Sequence, residues 1–154
     1  MLKIGDRAPL DIEVIDALDK TVSLNDYFGK LVVIYFYPKD NTPGCTKEAC
    51  GIRDWLPELK NLGVHVIAVS KDSPEAHRRF IKKYNLNFVL WSDAEHKLME
   101  AFGTWQKKKF MGREYMGTTR STFALDKNGK IIHVWENVTP NSHGEEIYQF
   151  FRKA

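Results

Sequence analysis

The sequence lacks the long apolar runs, blocks of like charge and export signal that mark membrane, nucleic-acid-binding and secreted proteins. No stretch approaches the roughly 18 apolar residues of a membrane-spanning helix. Residues 1–6 contain no apolar core and no cleavage-site pattern. The net charge is only +3, and the basic clusters at 78–79, 82–83 and 107–109 are short, as is typical of solvated faces. We therefore predict a cytoplasmic protein that binds neither membrane nor nucleic acid.

Cysteine is equally scarce, since Cys45 and Cys50 are the only two in 154 residues. In a reducing compartment, two close cysteines are typical of catalysis or metal binding rather than of a structural disulfide. The histidines are scattered and none has metal-ligand spacing to the cysteines, so no metal site is predicted. The chain is 43% hydrophobic and has no repeat, low-complexity tract or linker, which predicts a single domain over residues 1–154.

Predicted strands alternate with predicted helices of about 10 to 15 residues, which indicates an α/β fold with parallel strand pairs. The strands are expected at 31–37, 64–70, 88–91, 122–125 and 131–136, and the helices at 44–62, 74–84, 93–103 and 143–152. A small N-terminal hairpin is expected from 11–14 and 21–23. Residues 106–119 are interpreted as a surface excursion, with a possible extra hairpin arm at 110–115.

Thr42-Pro43-Gly44-Cys45-Thr46 follows the predicted strand 31–37 directly, and Cys50 lies five residues after Cys45. This places Cys45 where a strand turns into a helix. The unpaired N–H groups and the dipole of a helix N-terminus favour a thiolate over a thiol. The pattern indicates a reactive cysteine with a second cysteine as its resolving partner.

The spacing of the two cysteines has a geometric consequence. An apolar stripe on the predicted helix contains Cys45, Ala49, Ile52, Leu56 and Leu59. Cys50 lies roughly 140° around the helix from Cys45, with an axial rise of about 7.5 Å. A disulfide requires Cα atoms within about 7 Å, so Cys45 and Cys50 cannot bond unless the helix unwinds locally. Pro57 is expected to break or kink the helix near Leu56, the alternative being that it begins a second helix.

Several motifs resemble the peroxiredoxin family along essentially the whole chain. Tyr35-Phe36-Tyr37-Pro38 followed by Thr42-Pro43-Gly44-Cys45-Thr46-Lys47-Glu48-Ala49-Cys50 is similar to the active site of that family. Further matches are Gly5-Asp6-Arg7-Ala8-Pro9, Leu90-Trp91-Ser92-Asp93, Ala101-Phe102-Gly103 and Thr119-Arg120-Ser121-Thr122-Phe123. The second cysteine five residues after the first resembles the PrxQ, or bacterioferritin comigratory protein, subfamily.

The resemblance implies a thioredoxin-like fold, with a central mixed β-sheet flanked by helices, and reduction of hydrogen peroxide and organic hydroperoxides without metal or cofactor. It implies that Cys45 is the peroxidatic cysteine and that Cys50 resolves its sulfenic acid as an intramolecular disulfide. Thioredoxin or a similar dithiol would then reduce the disulfide. Because the sequence has no third cysteine for an intermolecular disulfide, we expect a monomer.

The resemblance also implies roles for the residues around the two cysteines. Thr42 would form a hydrogen bond to the peroxide and the thiolate, Pro43 would shield the site, and Arg120 would be the active-site arginine. The backbone N–H groups of Gly44 and Cys45 would stabilise the leaving oxygen, as an oxyanion hole does. Tyr37, in the segment that leads into the active-site loop, is expected to bind substrate together with Pro43 and Gly44.

Simpler interpretations of the same residues stay open at this point. Without the surrounding motif, Cys45 could be a small core residue and Cys50 an unreactive thiol. Thr42 could serve only as a helix cap, and Arg120 could be a surface charge on a strand. Glu48, in the first helical turn, is expected to interact with the helix dipole. The other functional classes are a thiol–disulfide oxidoreductase, which would favour Cys-x-x-Cys, and a non-enzymatic redox sensor.

Overall fold

The structure is a computed structural model that describes residues 1–153. The strands are β1 Val14–Asp16, β2 Thr21–Val22, β3 Leu31–Phe36, β4 Val64–Ser70, β5 Val89–Ser92, β6 Trp105–Phe110, β7 Arg113–Thr118, β8 Ser121–Leu125 and β9 Ile131–Trp135. The α-helices are α1 Pro43–Asn61, α2 Pro74–Tyr84, α3 Lys97–Phe102 and α4 His143–Lys153, with a 3₁₀ turn at Leu24–Tyr27. Within residues 1–153, none of the helices combines the length and the apolarity that a membrane crossing needs.

Seven strands form one mixed sheet in the order β2-β1-β5-β4-β3-β8-β9. Strands β3, β4 and β5 pair in parallel, whereas β8 pairs with β3, and β9 with β8, in antiparallel. The predicted N-terminal hairpin forms the opposite edge, where β1 pairs with both β2 and β5. The expectation of a thioredoxin-like fold with a central mixed sheet is confirmed.

Strand β3 is buried on both faces, which explains its continuous run of apolar residues. Val33 and Tyr35 face the core beneath α1, α2 and α4, while Ile34 and Phe36 face the core that includes α3. The chain leaves the end of β3 at the centre of the sheet and enters α1 through residues 37–42. The predicted reactive segment therefore lies at the C-terminal end of a central parallel strand.

Strands β6 and β7 form a separate two-stranded arm. The arm predicted at 110–115 is therefore present, but it is longer and begins at Trp105. The pairing of Phe110 with Arg113 leaves Met111 and Gly112 as the turn, and both have positive φ angles of 50° and 80°. A two-residue turn with two positive φ angles matches the twist of antiparallel strands.

The prediction of a break near Leu56 is wrong, and so is the alternative of a second helix beginning at Pro57, because α1 runs through Pro57 as one element. Pro57 cannot donate a hydrogen bond to the carbonyl oxygen of Arg53. The Nδ2 atom of Asn87 donates to that oxygen instead, at 3.2 Å. Leu56 and Leu59, on either side of Pro57, are buried in the core. A side-chain donor from outside the helix and buried neighbours thus keep the helix continuous.

The start of α3 also differs from the prediction. Asp93, expected to open the helix, precedes it by four residues, and α3 begins at Lys97. The carboxylate of Asp93 accepts hydrogen bonds from the backbone N–H groups of Leu98 at 3.2 Å and Met99 at 2.8 Å. Asp93 therefore accepts hydrogen bonds from N–H groups of the first turn that have no acceptor within the helix, as a capping side chain does, although it lies four residues before the helix.

Candidate active site

Cys45 lies in the first turn of α1, buried beneath the end of β3. Thr42 has extended backbone angles, φ −92° and ψ 156°, and Pro43 occupies the first helical turn, where a missing N–H costs nothing. The first backbone hydrogen bond of the helix runs from Thr46 N–H to the oxygen of Thr42, at 2.8 Å. In the described chain, the N–H groups of Gly44 and Cys45 have no protein acceptor. They remain available to an anion at the helix N-terminus.

Arg120 approaches Cys45 from β8. Ser121 pairs with Phe36 at the end of β3, and this register brings Arg120 beside the segment that follows β3. The Nη2 atom of Arg120 lies 3.2 Å from the Sγ atom of Cys45. The interpretation of Arg120 as a surface charge is thereby wrong, because its side chain is only 18% exposed and contacts the thiol.

Glu48 holds the other side of the Arg120 guanidinium group. Its Oε1 atom accepts a hydrogen bond from Arg120 Nη1 at 2.6 Å, and its side chain is fully buried. The expectation that Glu48 interacts mainly with the helix dipole missed this contact. Glu48 follows Cys45 by three residues, so both lie on one helix face, and a carboxylate on a buried face requires a cationic partner. That spacing indicates that Glu48 needs a cationic partner, but it does not identify the partner as Arg120.

Burial controls the charge of this cluster. Desolvation raises the pKa of Glu48 to about 7, although Arg120 opposes the shift. Burial also tends to lower the pKa of Arg120, but Glu48 and Cys45 outweigh it and raise that pKa above its usual value. Arg120 is therefore a permanent cation that contacts one carboxyl group and one sulfur atom. A guanidinium fixed at this distance can donate a hydrogen bond to the Cys45 sulfur or to an anion beside it.

Thr42, Pro43 and Gly44 form the rim in front of the thiol. The hydroxyl of Thr42 donates to the carbonyl oxygen of Lys39 at 2.9 Å and makes no capping bond to the helix, so the role of a cap alone is not observed. Its oxygen keeps lone pairs that can accept a bond from a substrate O–H. Pro43 is exposed. A Cβ atom on Gly44 would lie 3.3 Å from Arg120 Nη2, so glycine leaves room for the guanidinium.

Within residues 1–153, neither Tyr37 nor Cys50 forms a hydrogen bond to the Sγ atom of Cys45. The Tyr37 hydroxyl donates to Asp40 Oδ1 at 2.5 Å, inside the core. Cys50 is half-buried on α1, and both cysteines are free thiols. Because α1 is continuous from Pro43 to Asn61, Cys50 is turned away from the face that carries Cys45. The structure therefore brings Cys45, Arg120 and Glu48 together, with Thr42, Pro43 and Gly44 at the rim.

The raised pKa of Glu48 predicts a pH-dependent stability. An unfolded Glu48 ionises near pH 4.5, whereas the folded group holds its proton until about pH 7. The folded state thus loses stability as pH rises between these values, by on the order of 3 kcal/mol at full effect. In Glu48→Gln this loss is absent. Urea unfolding at about pH 5 and pH 8 should show the wild type losing stability relative to the variant.

The matched control is Glu75→Gln on the surface of α2, where the carboxylate pairs only with exposed Arg79. This variant should follow the wild-type pH dependence. Equal pH slopes for the wild type and Glu48→Gln would contradict the buried, partly protonated carboxyl group.

Comparisons with known proteins agree with this geometry. The model of the AhpC/TSA family matches residues 4–134. The chain is 49% identical to "Peroxiredoxin Bcp" of Bacillus subtilis over 96% of this chain and 94% of that protein. It is 43% identical to "Peroxiredoxin Bcp" of Escherichia coli, over 99% and 97% of the two chains. A solved structure of the bacterioferritin comigratory protein of Xanthomonas campestris, described with its alkyl peroxide reduction activity, superimposes with a TM-score of 0.90. That structure is 31% identical and covers 96% of this chain and 98% of its own.

Proposed function

Because the chain belongs to the AhpC/TSA family, as a thiol-dependent peroxidase of the Bcp or PrxQ type, we propose that Cys45 is its peroxidatic cysteine and Cys50 its resolving cysteine. The observation that carries this proposal is the 3.2 Å contact between Arg120 Nη2 and Cys45 Sγ at the N-terminus of α1. Within residues 1–153, Cys50 forms no comparable hydrogen bond to an arginine side chain.

In the first step, the Cys45 thiolate attacks the terminal oxygen of a hydroperoxide. An S–O bond forms as the O–O bond breaks, and the leaving alkoxide or hydroxide takes up a proton. Cys45 becomes a sulfenic acid. The Arg120 guanidinium and the free N–H groups of Gly44 and Cys45 stabilise the negative charge on the leaving oxygen. The Thr42 oxygen accepts a hydrogen bond from the peroxide and orients it, and Pro43 limits access of water from the rim.

In the second step, the Cys50 thiolate attacks the sulfenic sulfur of Cys45, and an S–S bond forms as the S–O bond breaks. Hydroxide leaves and takes up a proton to become water. An intact α1 keeps the two Cα atoms too far apart for this bond. At least one turn of the helix must therefore unwind before the two sulfur atoms can meet. Local opening of this kind costs least where few buried contacts hold the segment.

The third step returns the disulfide to two thiols. Peroxiredoxins use peroxide substrates and thiol reductants, and we propose that a dithiol such as thioredoxin reduces this chain by thiol–disulfide exchange. The alkyl peroxide activity described for the Xanthomonas relative supports organic hydroperoxides as substrates beside hydrogen peroxide. We further propose a cytoplasmic monomer whose residues 1–154 form one domain.

Hydrogen exchange tests the unwinding step. In the protein oxidised by peroxide, amides 46–55 should lose protection, because the disulfide cannot form within a helix. Amides 59–62 should keep theirs, because Leu59 is buried and Asn87 supports the turn around Pro57. Cys50→Ser is the matched control, since its oxidised form lacks the disulfide and should keep the helix protected. Equal protection of amides 46–62 in both redox states of the wild type would rule out local unfolding.

A further inference from the structure

The segment that carries Thr42 is held by a buried polar network that the peroxidase chemistry does not use. Asp40 and His77 are both buried, and His77 lies on α2, 37 residues further along the chain. Asp40 Oδ2 lies 2.6 Å from His77 Nδ1, and Asp40 Oδ1 accepts from the Tyr37 hydroxyl at 2.5 Å. His77 Nε2 lies 3.0 Å from the carbonyl oxygen of Trp91 in β5. The active-site loop is thereby joined to the helix and the strand beside it.

The hydrogen bonds of Asp40 and His77 satisfy the polar atoms of both buried side chains. The carbonyl of Trp91 can only accept, so His77 Nε2 carries a hydrogen. The Tyr37 hydroxyl donates to Asp40, so its proton does not lie between Asp40 and His77. Both carboxylate oxygens of Asp40 and both ring nitrogens of His77 thus have hydrogen-bond partners. A fully bonded pair can remain buried without the penalty of an unpaired polar group.

Two further contacts fix the same loop. The backbone N–H of Asp40 donates to Asp72 Oδ2 at 2.9 Å. The Oδ1 atom of Asn41 accepts from the Tyr84 hydroxyl at 3.1 Å, at the other end of α2. Asn41 has a φ angle of 59°, a left-handed conformation that asparagine tolerates better than most residues. The residue that follows is Thr42, so the position of the α1 N-terminus depends on how α2 holds Asp40 and Asn41.

We propose that the contacts Asp40–His77 and Asn41–Tyr84 act as a loop clamp, and that these are positioning residues for peroxide reduction. The clamp holds Thr42 and the first turn of α1 in the arrangement in which Cys45 attacks peroxide. The inference rests on the proposed function, in which the same turn must unwind for Cys50 to react. By stabilising the folded turn, the clamp favours reaction with peroxide over disulfide formation. It therefore also sets how readily a second peroxide oxidises Cys45 to the sulfinic acid.

The test compares variants that remove the clamp with one that rebuilds it. Asp40→Ala and His77→Phe should slow oxidation of Cys45 by roughly tenfold, because small misplacements of reacting groups cost that much. They should also raise, by a similar factor, the hydrogen peroxide concentration that converts half of Cys45 to sulfinic acid. Asp40→Asn should stay close to the wild type in both, because its amide can donate to His77 Nδ1 and its oxygen can accept from Tyr37. Stopped-flow oxidation and mass analysis measure the two quantities.

The control for simple destabilisation of α2 is Ser73→Ala, which removes the N-cap bond to Ala76 N–H without touching the loop. It should behave as the wild type. Where Asp40→Ala and His77→Phe do not fold, Tyr84→Phe decides, because Tyr84 is partly exposed. Its hydroxyl is one of two donors to Asn41 Oδ1, at 3.1 Å, and the other, Lys83 Nζ at 3.3 Å, remains in the variant. Tyr84→Phe should shift both quantities in the same direction, by a smaller factor.

The outcomes separate the clamp from the proposed function. Wild-type values in the clamp variants, or the same shifts in Ser73→Ala, overturn the clamp while the peroxidase mechanism stands. Slow oxidation without any change in sulfinic acid formation also overturns it, because the clamp couples the two. A wild type in which peroxide leaves Cys45 unoxidised overturns the proposed function, and the clamp with it.

Discussion

Replacing Cys45 with Ser is expected to abolish peroxide reduction, whereas Cys50→Ser should keep the first oxidation and lose turnover. The serine hydroxyl is not ionised at neutral pH and lacks the nucleophilicity of a thiolate, so no S–O bond can form at position 45. In Cys50→Ser the contacts of Arg120 with Cys45 are unaltered, and one equivalent of peroxide should be consumed at the wild-type rate. Stopped-flow fluorescence for the first step and a thioredoxin-coupled assay for cycling measure the two effects separately.

Thr46→Ser is the control for a conservative change in the first turn of α1, and it should leave both steps unaltered. If Cys50→Ser cycled with thioredoxin as the wild type does, Cys50 would not be the resolving cysteine. Peroxide reduction by Cys45→Ser would overturn the peroxidatic role. A protein that reduces disulfides with thioredoxin-like efficiency but does not consume peroxide would instead be a thiol–disulfide oxidoreductase.

The second large effect is expected for Arg120→Ala, which should slow attack on peroxide by about 100-fold or more. Donors fixed at a developing negative charge contribute on that scale. The loss should persist at a pH where Cys45 is fully ionised, because Arg120 stabilises the leaving oxygen as well as the thiolate. Rate constants measured by stopped flow across pH, up to the plateau, separate these two contributions.

Removing Arg120 also leaves Glu48 buried without its partner, which destabilises the fold by itself. The double variant Arg120→Ala with Glu48→Gln removes the orphaned carboxylate, and it should fold but stay slow. Arg113→Ala, in the exposed arm, is the control for loss of a positive charge far from the thiol and should be fully active. An unchanged plateau rate constant in Arg120→Ala would contradict the role of Arg120 in the transition state.

Local patterns in the sequence predicted most of the fold. The β-branched and aromatic run of β3 required burial on both faces, and the structure buries it between two cores. The helical spacing of Cys45, Ile52 and Leu59 correctly placed one face of α1 against the sheet. These predictions succeed because side-chain periodicity and burial are properties of neighbouring residues.

Contacts between distant residues were not predictable in the same way. The missing N–H of Pro57 predicts a break in the helix. The helix continues because Asn87, which lies outside α1, donates a hydrogen bond to the Arg53 carbonyl, and no pattern within the helix shows this donor. Arg120 was located beside Cys45 by family resemblance alone, since only the register of β8 on β3 brings the two together. The same register brings Arg120 into contact with Glu48. Tertiary hydrogen bonds of this kind override local propensity, and no local pattern encodes them.

The most direct test of the mechanism is to oxidise the wild-type protein with one equivalent of hydrogen peroxide and to determine its mass and disulfide linkage without reduction. We expect a species of monomer mass that has lost two hydrogens, in which peptide mapping joins Cys45 to Cys50. A disulfide-linked dimer, or a monomer in which Cys50 remains a free thiol while Cys45 is oxidised to the sulfinic acid, would contradict the account.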